Sequence, residues 1–252
     1  MYLAKKMFCV LGVISCFHVV ADDNISTPTM IQESVSGIVE NYLIDEGYRF
    51  KTELCSLMTK CGSDKGNGWH NYTSLYSKLF ESYVDKECNI FELGLGTNHL
   101  DVPSNMGPLG VPGASLMGWA AYFPKANIYG ADIDKRILFN TSRITTYYCD
   151  QRSAESIQAM YDTESLRDVL FDIIIDDGLH VFSANYNFLI HSIDKLKKGG
   201  IYIVEDLQGE NIRQFMQVAP QLQTEYDLNY IQVIMIPNTQ NTADNILLVI
   251  QK

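Results

Sequence analysis

Two groups of carboxylates stand out in the second half of the chain. Asp176-Asp177-Gly178-Leu179-His180 follows a continuously apolar run at residues 171–175, and Glu205-Asp206 follows a second run at 201–204. If those runs are adjacent parallel strands, their carboxyl ends finish together and the acids meet at one sheet edge. Four carboxylates gathered there repel one another unless a cation or protons intervene. Oxygen-only donors suit Mg²⁺, Ca²⁺ or Mn²⁺ rather than a soft metal. His180 adds an imidazole, which takes a proton near neutral pH, and a hydroxyl on a metal ionises more readily than a free one. A lone His180 reads as a capping or simply exposed histidine; its acidic neighbours favour catalysis. His191 falls inside a helix and reads as structural. His70 and His99 lie in loops and receive no role.

A glycine turn precedes these acids. Phe91-Glu-Leu-Gly-Leu-Gly96 closes an apolar strand, and glycine is needed where a backbone turns sharply or approaches a ligand closely. Gly94 and Gly96 alone are a weak signal; their place at the end of the first strand, the topological switch point, strengthens it. The full dinucleotide pattern fails, because His99 stands where the third glycine belongs. No phosphate-cradling Gly-Lys-Ser/Thr loop is present. At the end of the second strand, Asp132 can accept both hydroxyls of a ribose; the alternative is a helix cap. Asp150 and Gln151, after the third strand, are candidates for an adenine amino group.

In these stretches the chain resembles class I S-adenosylmethionine-dependent methyltransferases, in the group of macrolide sugar O-methyltransferases and cephalosporin hydroxylase-like proteins. The resemblance rests on Gly62-Ser-Asp-Lys-Gly66, Glu92-Leu-Gly-Leu-Gly96, Gly113-Ala-Ser-Leu-Met-Gly-Trp119, Tyr129-Gly-Ala-Asp-Ile133, Asp176-Asp-Gly-Leu-His180 and Glu205-Asp206, in that order. It implies a Rossmann-like fold and S-adenosylmethionine held by Glu92, Gly94, Gly96, Ser115, Asp132, Asp150, Gln151 and Asp176. It also implies Mg²⁺, or another hard divalent cation, on Asp177, Glu205 and Asp206, with His180 as base. The implied reaction is methyl transfer to a hydroxyl of a sugar or other small polar molecule. Two departures stand out. The insertion at residues 98–112 lengthens the cofactor loop, and Met117 replaces a common arginine. Lys65, Trp69, His70 and Tyr72 divide evenly between the substrate entrance and the core of an N-terminal cap.

The elements that must carry these residues follow from periodicity. Residues 28–47 and 73–84 have helical spacing, separated by a glycine-rich loop at 61–70. Strands are expected at 89–95, 127–133, 144–149, 171–175, 201–204, 230–236 and 246–250. Helices are expected at 114–123, at 182–197 and at 211–222, the last interrupted near Pro220. The alternation predicts a seven-stranded, mostly parallel α/β sheet with an antiparallel C-terminal hairpin and an N-terminal helical extension. Residues 22–86 would form the cap and 87–252 the Rossmann-like domain.

The 252 residues are enough for one substantial α/β core. A net charge of −11 argues against general nucleic-acid binding, which needs a basic surface. Residues 1–21 read as a secretory leader: two lysines, a short apolar run, a small residue before Asp22-Asp23. Val13-Ile14-Ser15-Cys16 also has the look of a lipoprotein processing site. The run is too short to span a membrane comfortably. Cleavage implies a periplasmic or secreted protein; retention implies a cytoplasmic one. In an exported protein Cys55 and Cys61 could pair. A leader sits awkwardly with a cytosolic cofactor, so a non-catalytic, exported cofactor-binding module is the rival reading. Non-haem iron hydroxylation ranks last, because it wants two histidines and one carboxylate. Oligomeric state is left open, a homo-oligomer included.

Overall fold

The computed structural model describes residues 33–66 and 68–252. The proposed leader and the first residues of the expected 28–47 helix lie outside them. Within Glu33–Lys252 the chain is one compact unit. Its centre is a seven-stranded sheet: β1 (Asn89–Leu93), β2 (Asn127–Asp132), β3 (Ile144–Tyr148), β4 (Phe171–Asp176), β5 (Leu196–Val204), β6 (Tyr230–Met235) and β7 (Ile246–Gln251). The spatial order is β3-β2-β1-β4-β5-β7-β6. Strands β1 to β5 pair in parallel, and β7 inserts antiparallel between β5 and β6.

Alternation along the strands feeds two apolar layers. Ile90, Ile173, Ile175, Ile201, Ile203, Leu247 and Val249 face one side; Phe91, Ile174, Tyr202, Val204, Leu248 and Ile250 face the other. Both faces are buried, so the strands read as continuous apolar runs. The first face is covered by α1 (Val35–Ile44), α2 (Glu53–Cys61), α3 (Tyr72–Leu79) and α4 (Ala114–Tyr122), through Val39, Met58, Tyr76 and Trp119. The second is covered by α5 (Ala154–Tyr161), α6 (Phe182–Ser192) and α7 (Glu210–Glu225), through Ile157, Phe188 and Phe215. The N-terminal helices thus complete a three-layer core. Among the described residues no helix is long and apolar enough to cross a membrane.

Several elements differ from the sequence expectation. Helix α2 has no strong periodic signal, because its buried contribution is only Leu54, Cys55 and Met58. It is nonetheless well bounded: the Thr52 hydroxyl accepts from Cys55 N, and Gly62 ends it in the left-handed region. Cys55 and Cys61 are both free thiols. Six residues along one helix separate their Cα atoms by roughly 9 Å, beyond disulfide reach. Helix α5 was also missed. Helix α6 ends at Ser192, and β5 starts at Leu196 rather than 201. Pro220 sits inside α7 without interrupting it; burial of Phe215 and Leu222 on either side holds the helix together despite the lost N–H bond.

Candidate active site

Strand register brings the proposed residues together. Leu93 pairs with Ala131 and with Asp176, and Asp176 pairs with Val204. The next residues therefore form a row across the carboxyl edge: Asp132, Gly94, Asp177 and Glu205. Backbone bonds continue the ladder one step, from Gly94 N to Ala131 O, Asp177 N to Leu93 O and Glu205 N to Asp176 O (2.8–2.9 Å). Gly94 has φ +90°, and a Cβ there would lie 1.9 Å from the Asp177 carbonyl oxygen. Only glycine lets the first strand turn away so close to the fourth.

A cavity of about 280 Å³ opens above this row. One end is walled by Gly94, Gly96, Asp132, Asp150 and Gln151. Asp132 is buried and lines the cavity; its two oxygens accept from Leu95 N (2.7 Å) and Asp134 N (2.8 Å). Desolvation, with the nearby Asp134 charge, raises its pKa above the ordinary value despite the backbone amides of Asp134, Leu95 and Ile133. Asp150 is held by Arg152. The Gln151 amide is spent on protein partners, donating to Asp176 (2.6 and 2.8 Å) and accepting from Leu179 N (2.9 Å). This occupies the group expected to meet an adenine. The insertion forms part of the cavity wall: Val102, Pro103, Ser104, Asn105 and Met106 line it, and Ser104 Oγ bonds Leu179 O across the opening.

Three expected cofactor contacts stand behind the wall instead. Glu92 is fully buried, accepting from Ser115 Oγ (2.6 Å) and Trp119 Nε1. Ser115 therefore serves Glu92. Asp176 is fully buried beneath Gln151 and Asn185, and desolvation pushes its pKa up to about 7. All three brace the turn rather than face the cavity.

The other end holds Asp177, His180 and Asp206, whose donor atoms lie within 4.8 Å of one another. His180 Nε2 is 3.1 Å from Asp177 Oδ1 and 3.8 Å from Asp206 Oδ2. His180 and Asp206 both adopt left-handed φ, +59° and +57°, a conformation non-glycine residues keep only where the surroundings enforce it. Burial alone would lower the His180 pKa; the hydrogen bond to Asp177 and the charges of Asp177, Asp206 and Asp176 overcome it and raise it to about 9. Tyr72 OH donates to Asp206 Oδ1 (2.7 Å).

Glu205 does not join this cluster. Its oxygens accept from Tyr76 OH (2.8 Å) and Lys65 Nζ (2.5 Å), and it is buried. Lys65 also donates to Asp177 Oδ2 and lies 3.6 Å from Glu92. The cation among the converging carboxylates is thus the protein's own. Burial opposes a charged lysine, but Asp177, Glu205, Glu92 and, more weakly, Asp64 outweigh it and hold the ammonium well above its ordinary pKa. Asp177 is likewise held well below the carboxylate range, as Lys65 and His180 overcome its desolvation. The sequence leaves Lys65 evenly between the site entrance and the core of the N-terminal cap, and gives no sign that it pairs with the acidic edge. Asp64, Trp69, His70 and Asp244 also line the cavity, and Asp244, between β6 and β7, had no signal.

The sheet order, the glycine turn and the acidic edge define a Rossmann-like class I methyltransferase fold. Within that class the chain resembles sugar O-methyltransferases. It is 32% identical over 170 residues, 68% of its length, to the 8-demethyl-8-alpha-L-rhamnosyl tetracenomycin-C 2'-O-methyltransferase of Streptomyces olivaceus, covering 42% of that protein. It is 32% identical over 158 residues, 61% of its length, to the L-olivosyl-oleandolide 3-O-methyltransferase of Streptomyces antibioticus, covering 36% of it. The chain thus spans about two fifths of these relatives. The crystal structure of the MycE methyltransferase of the mycinamycin biosynthetic pathway, in complex with Mg and SAH, superposes with a TM-score of 0.61 at 21% identity, over 81% of this chain and 55% of that one. No family model matches the sequence.

Proposed function

We propose that the protein is an S-adenosylmethionine-dependent O-methyltransferase acting on a hydroxyl of a sugar or other small polar molecule, assisted by a divalent cation. The observation that carries this is the single cavity with a glycine turn and a ribose-ready Asp132 at one end and Asp177, His180 and Asp206 at the other. The names of the curated relatives support the sugar hydroxyl. Two carboxylates beside an imidazole suit a hard divalent ion, so Asp177 and Asp206 would hold it, with Glu205 acting through Lys65. When bound, such an ion acidifies a coordinated hydroxyl and offsets the carboxylate charge that keeps His180 protonated.

The chain's own residues then do the rest. The turn at Gly94 and Gly96 seats the cofactor, and Asp132 fixes its ribose. S-adenosylmethionine would supply the methyl group, leaving as the thioether while the acceptor oxygen takes the methyl, and His180 Nε2 would receive the hydroxyl proton. The loop at 102–106 shields the site from water.

Calorimetry with S-adenosylmethionine and turnover on a panel of glycosides test this. Asp177→Ala and His180→Ala should each lose activity by roughly 10²–10⁴-fold; Asp177→Ala, which also takes a carboxylate from buried Lys65, should melt below His180→Ala. Full activity in both variants would defeat the mechanism. Cofactor binding without transfer to any hydroxyl would favour a non-catalytic binding module.

A further inference from the structure

Lys65 takes no direct part in that chemistry, yet its side chain is only 2% exposed and its ammonium meets three carboxylates. They come from three different strand ends: Glu92 in β1, Asp177 after β4 and Glu205 after β5. The lysine arrives from a fourth direction, the loop after α2. That loop is pinned in place. Lys65 O accepts from Thr73 N (3.2 Å) and Thr73 Oγ1 (3.1 Å), and Gly66 packs so tightly on α2 that a Cβ would lie 2.9 Å from Cys55 O. The side chain is therefore delivered by a loop held against α2 and α3.

Asp177 is shared: Oδ2 binds Lys65, while Oδ1 faces His180 beside Asp206. A carboxylate bridging two positive centres is a natural feature of two-metal sites, whose ions lie about 3.5–4 Å apart. Here one of the two centres is an ammonium.

We propose that Lys65 stands in for a second divalent cation: it is an internal counter-ion that gathers Glu92, Asp177 and Glu205 and restricts the cavity floor to a single metal ion, at Asp177 and Asp206. Only the count of one ion in the wild type rests on the metal-assisted reading above; the part played by Lys65 does not. Without its charge, three buried carboxylates confront one another, and a hard cation is what such oxygens recruit.

The test is to count bound Mn²⁺ by electron paramagnetic resonance in the wild type and in Lys65→Met, which keeps the length of the side chain and removes its charge. The variant should bind one more ion per chain than the wild type. Its melting temperature should rise by roughly 5 °C or more at a hundredfold excess of Mn²⁺ over its Kd, beyond any wild-type response. Equal counts and equal affinities in the two proteins would overturn the proposal. The difference in count separates it from the metal reading: no ion in the wild type and one in the variant would defeat the latter and leave Lys65 as described. Should Lys65→Met fail to fold with and without Mn²⁺, Lys65→Met/Glu205→Gln replaces the ion pair by a neutral one. That protein should fold and bind the wild-type number of ions. A persistent folding defect would show that Lys65 acts by something other than neutralising charge, and the proposal falls.

Discussion

The two ends of the cavity are built on different principles. The glycine-turn end is made by backbone: Gly94 turns under the Asp177 carbonyl, and Asp132 accepts from the amides of Leu95 and Asp134. The acid end is made by side chains from distant parts of the chain. Lys65 reaches residues 112 and 140 positions away, and Tyr72 and Tyr76 reach 134 and 129 positions to Asp206 and Glu205. The first end tolerates no added atom but carries little net charge conflict. The second has room at its open side and depends on charge balance.

The sharpest way to break the first end is Gly94→Ala. The new Cβ would overlap backbone, which cannot swing aside as a side chain can, and φ +90° adds strain of about 1–3 kcal/mol for a non-glycine residue. The expected result is a large loss of melting temperature, or a folded protein whose affinity for S-adenosylmethionine falls by more than about a hundredfold. Unchanged melting and binding would show that the Gly94 turn does not depend on glycine.

Asp132→Asn is milder. The amide keeps the shape, loses the charge and offers one acceptor instead of two. Hydrogen bonds to a charged group contribute about 1.5–3 kcal/mol, so binding of S-adenosylmethionine should weaken by roughly 10- to 100-fold. Calorimetry reads this directly. An equal loss in turnover with no loss of binding would move Asp132 from the cofactor to the reaction.

The difference between the ends also explains what the sequence could reveal. Glycine turns, apolar runs and strand-end acids are local signals, and they point to the sheet and to one carboxyl edge carrying Asp177, His180, Glu205 and Asp206. Which way a carboxylate faces is not local. Glu92, Ser115 and Asp176 look like cofactor contacts in a linear motif, yet Trp119, Asn185 and Gln151 turn them inward. Glu205 looks like a metal ligand until Tyr76 and Lys65, both upstream of the sheet, take its oxygens. Lys65 itself sits in a polar, glycine-rich loop, where a lysine is ordinarily solvated. Helix α2 escaped notice for a related reason: it buries one narrow stripe, and its anchors are the cap at Thr52 and the contacts of Met58 with α4.

The smallest effect lies under the cofactor loop, at Asp134. Its carboxylate accepts from Arg136 Nε (2.6 Å) and Arg136 NH2 (2.9 Å) and from Thr97 Oγ1 (2.6 Å), tying the start of the insertion to β2. Arg136 holds its pKa well below the ordinary carboxylate value, with Thr97 assisting against desolvation. A depressed folded pKa means that the unfolded chain binds more protons over the interval between the two values. The stabilisation is therefore present above the unfolded pKa of about 3.9 and is lost as pH falls toward the folded one. Arg136 is half exposed, so salt screens the pair. Asp134→Asn should lower the melting temperature by roughly 2–4 °C at pH 7 and low salt. The gap between variant and wild type should narrow in 0.5 M NaCl and narrow again as pH drops below 4. A gap that stays constant with pH and salt would mean that Asp134 supports the loop by shape alone, and the glycine-turn end would then owe nothing to charge.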